Sequence, residues 1–234
     1  MTGPIPRRPR VAVVDYGAGN LVSMDQALDR VGAEVVFVRD AEAFRDVDAI
    51  VVPGVGAAGP AMERLRRRGL VDPILAWIAA GRPLLGICLG LQLLFEASDE
   101  DGAETLGVIP GRTRRLVDAP TLPHIGWNQV DRVRAHPVFD GIAPGADFYF
   151  VHSFAGVPDP TTAADVVLTR TTHGGTFVSA IARDNVLGVQ FHPERSGADG
   201  LRLLTNAVEL VRSGGFGAPG APDARARASE PVAV

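Results

Sequence analysis

The stretch Pro83-Leu84-Leu85-Gly86-Ile87-Cys88-Leu89-Gly90-Leu91-Gln92 contains the one cysteine of the chain. The apolar run up to Ile87 predicts a buried strand, and residues 91–96 have helical spacing. A strand, a sharp turn and a helix, with a reactive side chain at the turn, form a nucleophile elbow, here with cysteine as the nucleophile. Gly86 and Gly90 fit this prediction, because larger residues would collide where the strand and helix pack closely. The alternative is a small cysteine buried in the core.

The composition is that of an ordinary globular protein. The chain has 234 residues, of which 46% are hydrophobic and 21% charged, enough for a sizeable core. The net charge of −4 gives no reason to expect binding to nucleic acid or to anionic membranes. One cysteine excludes an internal disulfide, and no apolar run approaches the ~20 residues of a membrane helix. The first ten residues lack the apolar segment of a secretory signal, so we expect a cytoplasmic protein.

Apolar strands alternate with amphipathic helices over the first ninety residues. The pattern predicts strands at 11–15, 35–38, 49–52 and 84–87, and helices at 21–31, 59–68 and 70–80. This alternation indicates an α/β fold with a doubly wound, mostly parallel sheet and helices on both faces. In such sheets ligands bind at the carboxyl ends of the strands, which would bring the loop Pro53-Gly54-Val55-Gly56 beside Cys88.

The second half of the chain has a different pattern. Short strands are predicted at 108–111, 115–117, 126–130, 148–151, 164–168, 177–181 and 186–190, and a last helix at 198–212. No linker precedes these strands, so we interpret them as an antiparallel or mixed extension of the same sheet. We therefore predict one domain over residues 10–213, a flexible arm over 1–9 and a disordered tail, rich in Gly, Pro and Ala, over 214–234.

A cysteine nucleophile needs a base, and the base needs a group that orients it. In Phe191-His192-Pro193-Glu194, a strand ends at a histidine. Residues i and i+2 of an extended segment point the same way, so Glu194 could hold the imidazole of His192. The alternative is a polar turn with a surface glutamate. His136 is predicted to be a capping or surface group and His173 a hairpin-turn residue, whereas His124 and His152 could be packed residues or the edge of a site.

The oxyanion that forms during acyl transfer needs two N–H donors. Leu89, directly after the nucleophile, supplies one in this prediction, and the Gly54-Val55-Gly56 loop supplies the second. An ordinary tight turn is the alternative for the loop. Neither a metal nor a cofactor is expected. The cysteine and histidines lack the paired spacing of metal ligands, and Val22 stands where the dinucleotide fingerprint begun by Gly17 and Gly19 requires a third glycine.

These motifs together resemble a known family. The elbow around Cys88 and the His192-Pro193-Glu194 segment are similar to the class I, or triad, glutamine amidotransferases, whose fold is flavodoxin-like. Four further stretches resemble, within that family, the glutaminase subunits of imidazole glycerol phosphate synthase. They are Asp15-Tyr16-Gly17-Ala18-Gly19-Asn20, Pro53-Gly54-Val55-Gly56, Leu122-Pro123-His124-Ile125-Gly126-Trp127-Asn128 and Tyr149-Phe150-Val151-His152-Ser153.

The resemblance implies an activity and a partner. Cys88 would attack the side-chain amide of glutamine, His192 would act as general base and acid, and Glu194 would orient His192. The ammonia would pass to a cyclase subunit, a (β/α)8 barrel in a 1:1 heterodimer, which makes imidazole glycerol phosphate and aminoimidazole carboxamide ribotide in histidine biosynthesis.

The resemblance also implies roles for further residues. Val55, Gly56 and Leu89 would form the oxyanion hole, and Gly54 and Gln92 would contact glutamine. Asn20, Trp127 and Tyr149 would lie at the subunit interface, although Trp127 could instead be a buried anchor. Phe154 and Arg195 depart from the tyrosine and lysine common at these positions.

Three rival functions remain open on the sequence: another amidotransferase of the class, a catalytically silent relative, and a stand-alone cysteine hydrolase.

Overall fold

A nine-stranded mixed sheet forms the centre of the computed structural model, which describes residues 7–40 and 42–217. The strands of this sheet are β1 Arg10–Val14, β2 Glu34–Val38, β3 Ala49–Gly54, β4 Leu84–Cys88, β7 His124–Arg132, β8 Ala146–His152, β10 Val167–His173, β11 Gly175–Arg183 and β12 Val186–Val189. Their spatial order is β2-β1-β3-β4-β12-β11-β10-β7-β8. The first five strands in the spatial order run parallel, and β11, β10, β7 and β8 continue the sheet with antiparallel pairing. The predicted parallel core with an antiparallel extension is confirmed.

Helices cover both faces of the parallel part. Neighbouring residues of β1 belong to two different apolar clusters, with Val11 and Val13 in one and Ala12 and Val14 in the other, because successive side chains of a strand point to opposite faces. Two long helices, α1 Leu21–Arg30 and α6 Gly197–Ser213, bury side chains in the first cluster. Two others, α2 Ala58–Arg67 and α3 Val71–Ala79, bury side chains in the second.

A second, three-stranded sheet was not predicted from the sequence. It consists of β5 Ala97–Ser98, β6 Gly111–Arg115 and β9 Phe154–Pro158, in the order β5-β6-β9. Phe95 is fully buried against this sheet, so closely that a side chain at Gly156 would overlap its ring. Of the strand predicted at 108–111, only Gly111 lies in a strand, as the first residue of β6. Of the strand predicted at 115–117, only Arg115 does, as the last residue of β6.

One helix prediction and one strand prediction were wrong. The helix expected over 91–96 is a single turn, α4 Leu89–Gln92, after which the chain tightens into i→i+3 hydrogen bonds at Leu94 and Phe95. Leu93, Leu94 and Phe95 are all fully buried, so this apolar run is not one face of a longer helix. The strand expected over 164–168 begins as a helical turn, α5 Ala163–Val166, and β10 starts only at Val167.

The predicted arm over 1–9 and tail over 214–234 lie largely outside the described residues. Within the described part, Arg7 forms an ion pair with Asp48 at 2.7 Å. At the other end, Phe216 is only 2% exposed. None of the helices in the described ranges is long and apolar enough to cross a membrane.

Candidate active site

Cys88 occupies a strained turn at the end of β4. Its φ of 54° is rare for a residue other than glycine, and strain of this kind is often found at functional sites. The next residue begins helix α4. A Cβ at Gly86 would lie 2.7 Å from the Gly90 carbonyl, and a Cβ at Gly90 would overlap the carbonyl oxygen of Val52. Only glycine fits at either position, so the elbow geometry expected from the sequence is present.

His192 and Glu194 form a buried pair close to Cys88. The His192 Nδ1 lies 2.8 Å from a Glu194 carboxylate oxygen, and both side chains are at most 6% exposed. The contact was expected from an extended segment, but Pro193–Arg195 is a 3-10 turn preceded by His192. Pro193 favours that turn because its fixed φ suits the first helical position. The predicted pairing is therefore present, but the backbone geometry proposed for it was wrong.

The second ring nitrogen of His192 is available for chemistry. Its Nε2 is buried and makes no ordinary hydrogen bond with any residue in the described ranges. Burial alone would lower the pKa of His192, but interactions with Cys88 and Glu194 outweigh burial and raise it to about 10. The imidazole therefore holds a proton at neutral pH, next to the sulfur. Such a proton favours the thiolate form of a cysteine.

The glycine loop after β3 adjoins the nucleophile. Gly54 is the register partner of Cys88 in the β3–β4 pair, and Gly56 lines a cavity together with Cys88. The side chain of Val55 points outward and is 47% exposed. Leu89 starts α4, so its N–H is one of the donors that a helix leaves without an internal partner. The loop and the elbow thus flank one space.

That space is a cavity of about 200 Å³. Its lining includes Cys88 and Gln92, and also Glu100, which was not predicted from the sequence. Gln92 is 5% exposed and donates through Nε2 to the Phe154 carbonyl at 2.8 Å. The pKa of Glu100 is raised by burial and by the neighbouring Asp101. No sequence signal singles out Glu100, because it stands in an acidic loop whose position depends on the unpredicted second sheet.

The remaining histidines have structural partners. The side chain of His136 caps the 3-10 turn Pro137–Phe139 by accepting from Val138 N at 3.1 Å, but it is buried rather than on the surface. His173 ends β10 at the hairpin to β11, as predicted. His124 and His152 are buried side by side, with Nδ1 and Nε2 3.2 Å apart. No group of three or more metal-ligating side chains occurs within residues 7–40 and 42–217.

Two of the three expected interface residues form an aromatic pair, of which Trp127 is exposed and Tyr149 half-buried. Trp127 on β7 is directly opposite Tyr149 on β8, with ring centroids 6.2 Å apart. Trp127 is 57% exposed, so it is not a buried anchor. The Arg195 guanidinium lies 4.0 Å from the centre of the Tyr149 ring. Asn20 is exposed and caps α1, accepting from Ser23 N at 3.2 Å.

Comparison with known proteins identifies the class. Residues 12–211 match the family described as glutamine amidotransferase class-I. A crystal structure of a glutamine amidotransferase has a TM-score of 0.69 and 22% identity, with 86% of this chain and 98% of that chain covered. PurLQS from Thermotoga maritima also has a TM-score of 0.69, at 21% identity and the same coverage. At this identity the two structures support the fold alone.

Curated relatives narrow the family further. A protein of Nitrosococcus oceani, named imidazole glycerol phosphate synthase subunit HisH, is 48% identical over 202 residues, covering 84% of this chain and 95% of the relative. A protein of the same name from Moorella thermoacetica is 46% identical over 206 residues, with 88% and 97% covered. The chain belongs to the class-I glutamine amidotransferase family and, within it, to the imidazole glycerol phosphate synthase HisH subunits.

Proposed function

We propose that the protein hydrolyses glutamine at Cys88 and supplies the ammonia to a cyclase subunit in histidine biosynthesis. The observation that carries this proposal is the strained Cys88, whose side chain interacts with His192 of the buried His192–Glu194 pair. The HisH relatives support the subunit assignment and the need for a cyclase partner. We further propose that the partner is a (β/α)8 barrel bound 1:1, that the complex is cytoplasmic, and that residues 10–213 form the catalytic domain.

The first half of the proposed reaction forms a thioester. The Cys88 thiolate attacks the side-chain amide carbon of glutamine, and the carbonyl becomes an oxyanion. The N–H of Leu89 and a peptide N–H of the Val55–Gly56 loop stabilise that oxyanion. As the C–N bond breaks, His192 gives its proton to the leaving nitrogen, and ammonia departs. Glu194 orients the imidazole and stabilises its charged form.

The second half regenerates the enzyme. His192, now neutral, takes a proton from a water molecule, and the water oxygen attacks the thioester carbon. The C–S bond breaks, glutamate leaves, and the sulfur returns as a thiolate beside the protonated imidazole. The two steps together use one water and release one ammonia and one glutamate.

The cavity beside Cys88 carries groups that suit an amino acid substrate. Free glutamine has an α-ammonium group, and Glu100 offers a carboxylate on the cavity wall. Gln92 forms another part of the wall, and we propose that it contacts the bound glutamine. We propose the same role for Gly54, which is the register partner of Cys88 in the β3–β4 pair. Binding of the ammonium would favour ionised Glu100, whose pKa is raised in the free protein.

The aromatic pair of β7 and β8 is the proposed docking surface for the cyclase. Trp127, Tyr149 and the outward Ile125, which is 60% exposed, lie together on this strand pair. Aromatic side chains and arginine are enriched where protein interfaces bury their central residues. Arg195, stacked on Tyr149, and Asn20 would complete the surface.

Substitution of the nucleophile tests the proposed reaction. In the complex with the cyclase, Cys88→Ala should reduce glutamine-dependent synthesis by at least a thousandfold, because the remaining groups cannot form a thioester. Synthesis from added ammonium salt should stay within about twofold of the unmodified complex, since the cyclase itself is intact. If both syntheses fell together, Cys88 would be structural and the proposal wrong. High glutaminase activity without any cyclase would instead favour a stand-alone hydrolase.

A further inference from the structure

A buried glutamine links the nucleophile to the wall of the pocket. We propose that Gln190 is a positioning residue that orients both the Cys88 sulfur and the Gln92 side chain through its one carboxamide group. Gln190 is 0% exposed. Its Nε2 donates to the Cys88 sulfur at 3.6 Å, and its Oε1 accepts from Gln92 Nε2 at 3.1 Å. The inference rests on the proposed function of Cys88 as the nucleophile.

The orientation of both side-chain amides is fixed by their partners. Gln92 Nε2 also donates to the Phe154 carbonyl at 2.8 Å, and a carbonyl oxygen can only accept. The NH₂ group of Gln92 is therefore also the donor to Gln190, and Gln190 accepts through its Oε1 oxygen. The NH₂ group of Gln190 is left facing the sulfur. A reversed amide would place an oxygen against a thiolate, which would repel it.

His152 holds the Phe154 carbonyl from the other side, and His124 in turn holds His152. His152 Nδ1 donates to that carbonyl at 2.8 Å, so its Nε2 is free to accept from His124 Nδ1 at 3.2 Å. His124 Nε2 then accepts from Asn128 Nδ2 at 3.2 Å. The Asn128 amide is itself fixed, because Nδ2 donates to Thr172 O and Oδ1 accepts from Gln129 N.

These contacts form one continuous network from β7 to the sulfur, with a single consistent assignment of donors and acceptors. A fully satisfied buried network of this kind restricts its members to one arrangement. Gln190 is the member that contacts the sulfur. Because the network holds Gln190 in one orientation, Gln190 in turn holds the sulfur in one position. Such support around a reacting group is what holds it in its productive geometry.

The hydrogen bond from Gln190 matters more for the thiolate form of Cys88 than for the thiol form. A neutral thiol can donate to the Val151 carbonyl, which lies 3.9 Å from the sulfur. A thiolate cannot donate, and that carbonyl would repel it. The N–H of Gln190 is a donor suited to the negative sulfur, in addition to the proton on His192. Loss of this donor should make the thiolate form less accessible near neutral pH.

Two substitutions test the inference in the complete complex with the cyclase. Gln190→Met removes both hydrogen bonds at similar volume, and Gln190→Glu keeps the shape but replaces the donor by an acceptor. A hydrogen bond to a charged group is worth roughly tenfold in an equilibrium. In Gln190→Met, the midpoint of Cys88 alkylation by iodoacetamide against pH should therefore rise by about one pH unit. It should rise further in Gln190→Glu.

Steady-state kinetics provide the second measurement. Glutamine-dependent kcat should fall at least tenfold in both variants. KM for glutamine should rise in Gln190→Met, in which Gln92 loses the oxygen that accepts from it. Synthesis from ammonium salt should not change. Val186→Ala is the matched control. It removes buried volume from β12, the strand that leads into Gln190, and it should lower stability without moving the alkylation midpoint.

The outcomes separate this inference from the proposed function. Alkylation midpoints and kcat values equal to those of the unmodified protein in both Gln190 variants would overturn the positioning role alone. Glutamine-dependent synthesis that survived Cys88→Ala would overturn the proposed function. If Gln190→Met does not fold, as judged by circular dichroism, the isosteric Gln190→Glu decides by the same two measurements. A shift of equal size in Val186→Ala would also reject the inference.

Discussion

At the scale of single residues, Tyr16 and Gly54 are fitted to each other behind the glycine loop. Tyr16 is 1% exposed, and its hydroxyl has no hydrogen-bond partner among residues 7–40 and 42–217. Burial, together with the nearby Cys88, raises the pKa of this hydroxyl above its ordinary value. An unpaired buried hydroxyl costs about 1–3 kcal/mol. A Cβ at Gly54 would overlap this hydroxyl and would lie 3.1 Å from Leu89 Cβ.

This fit predicts a rescue experiment. Gly54→Ala should destabilise the protein by about 1–3 kcal/mol and reduce glutamine-dependent activity at least tenfold, because the loop must move away from Cys88. Tyr16→Phe removes the overlapping oxygen and should be neutral or slightly stabilising on its own. The double variant should recover most of the lost stability, measured by urea unfolding. Additive effects of the two substitutions would contradict the proposed packing.

At the scale of helices and strands, local sequence was informative where burial was uniform. The parallel strands β1, β3 and β4 are buried throughout or nearly so, and continuous apolar runs predicted them. The same signal failed after the elbow, where the run Leu91–Phe95 is buried from several sides and not along one helical face. The second sheet was missed because its strand β6, Gly111–Arg115, carries three arginines and only one buried residue.

The candidate site was predicted to a similar extent. Two short motifs specified Cys88 and the His192–Glu194 pair, because the residues of each motif lie within a few positions of one another in the sequence. Gln190, Tyr16 and Glu100 were not predicted to belong to the site. Gln190 contacts Cys88 across 102 positions of sequence, a contact that depends on the pairing of β12 with β4. Local patterns do not contain such pairings.

The strand pair β7–β8 carries the prediction about the partner. Trp127 is 57% exposed, so Trp127→Ala should change the free energy of unfolding of the isolated chain by less than about 1 kcal/mol. The affinity for the cyclase should fall at least tenfold, since exposed aromatic residues at the centre of an interface supply much of its binding energy. Calorimetric titration of the cyclase into each variant measures this.

Val157→Ala is the control for that experiment. Val157 is 43% exposed on β9, in the second sheet, and its loss should leave affinity unchanged. Equal affinity of Trp127→Ala and the unmodified chain would reject β7–β8 as the docking surface.

At the scale of the whole molecule, buried histidines tie stability to pH in opposite directions. Burial lowers the pKa of His152 to about 3 and that of His124 to about 4, and the neighbouring histidines add to both effects. Below pH 6.5 these two histidines bind protons in the unfolded chain but not in the folded protein. The free energy of unfolding therefore falls as the pH is lowered. The raised pKa of His192 has the opposite effect on the free energy of unfolding. Its contribution is complete below pH 6.5 and is lost as the pH rises towards 10.

The acid side of this dependence can be isolated between pH 5 and 6.5, above the range where most carboxylates titrate. Each of His124 and His152 should make the free energy of unfolding fall by about 1 kcal/mol for each pH unit by which the pH is lowered in that window. His152→Asn keeps a donor for the Phe154 carbonyl but does not titrate, so it should remove one such contribution from the slope. Urea unfolding at several pH values measures both slopes. Equal slopes would mean that His152 is not held neutral, and the hydrogen-bond roles assigned to His152 and His124 would no longer hold.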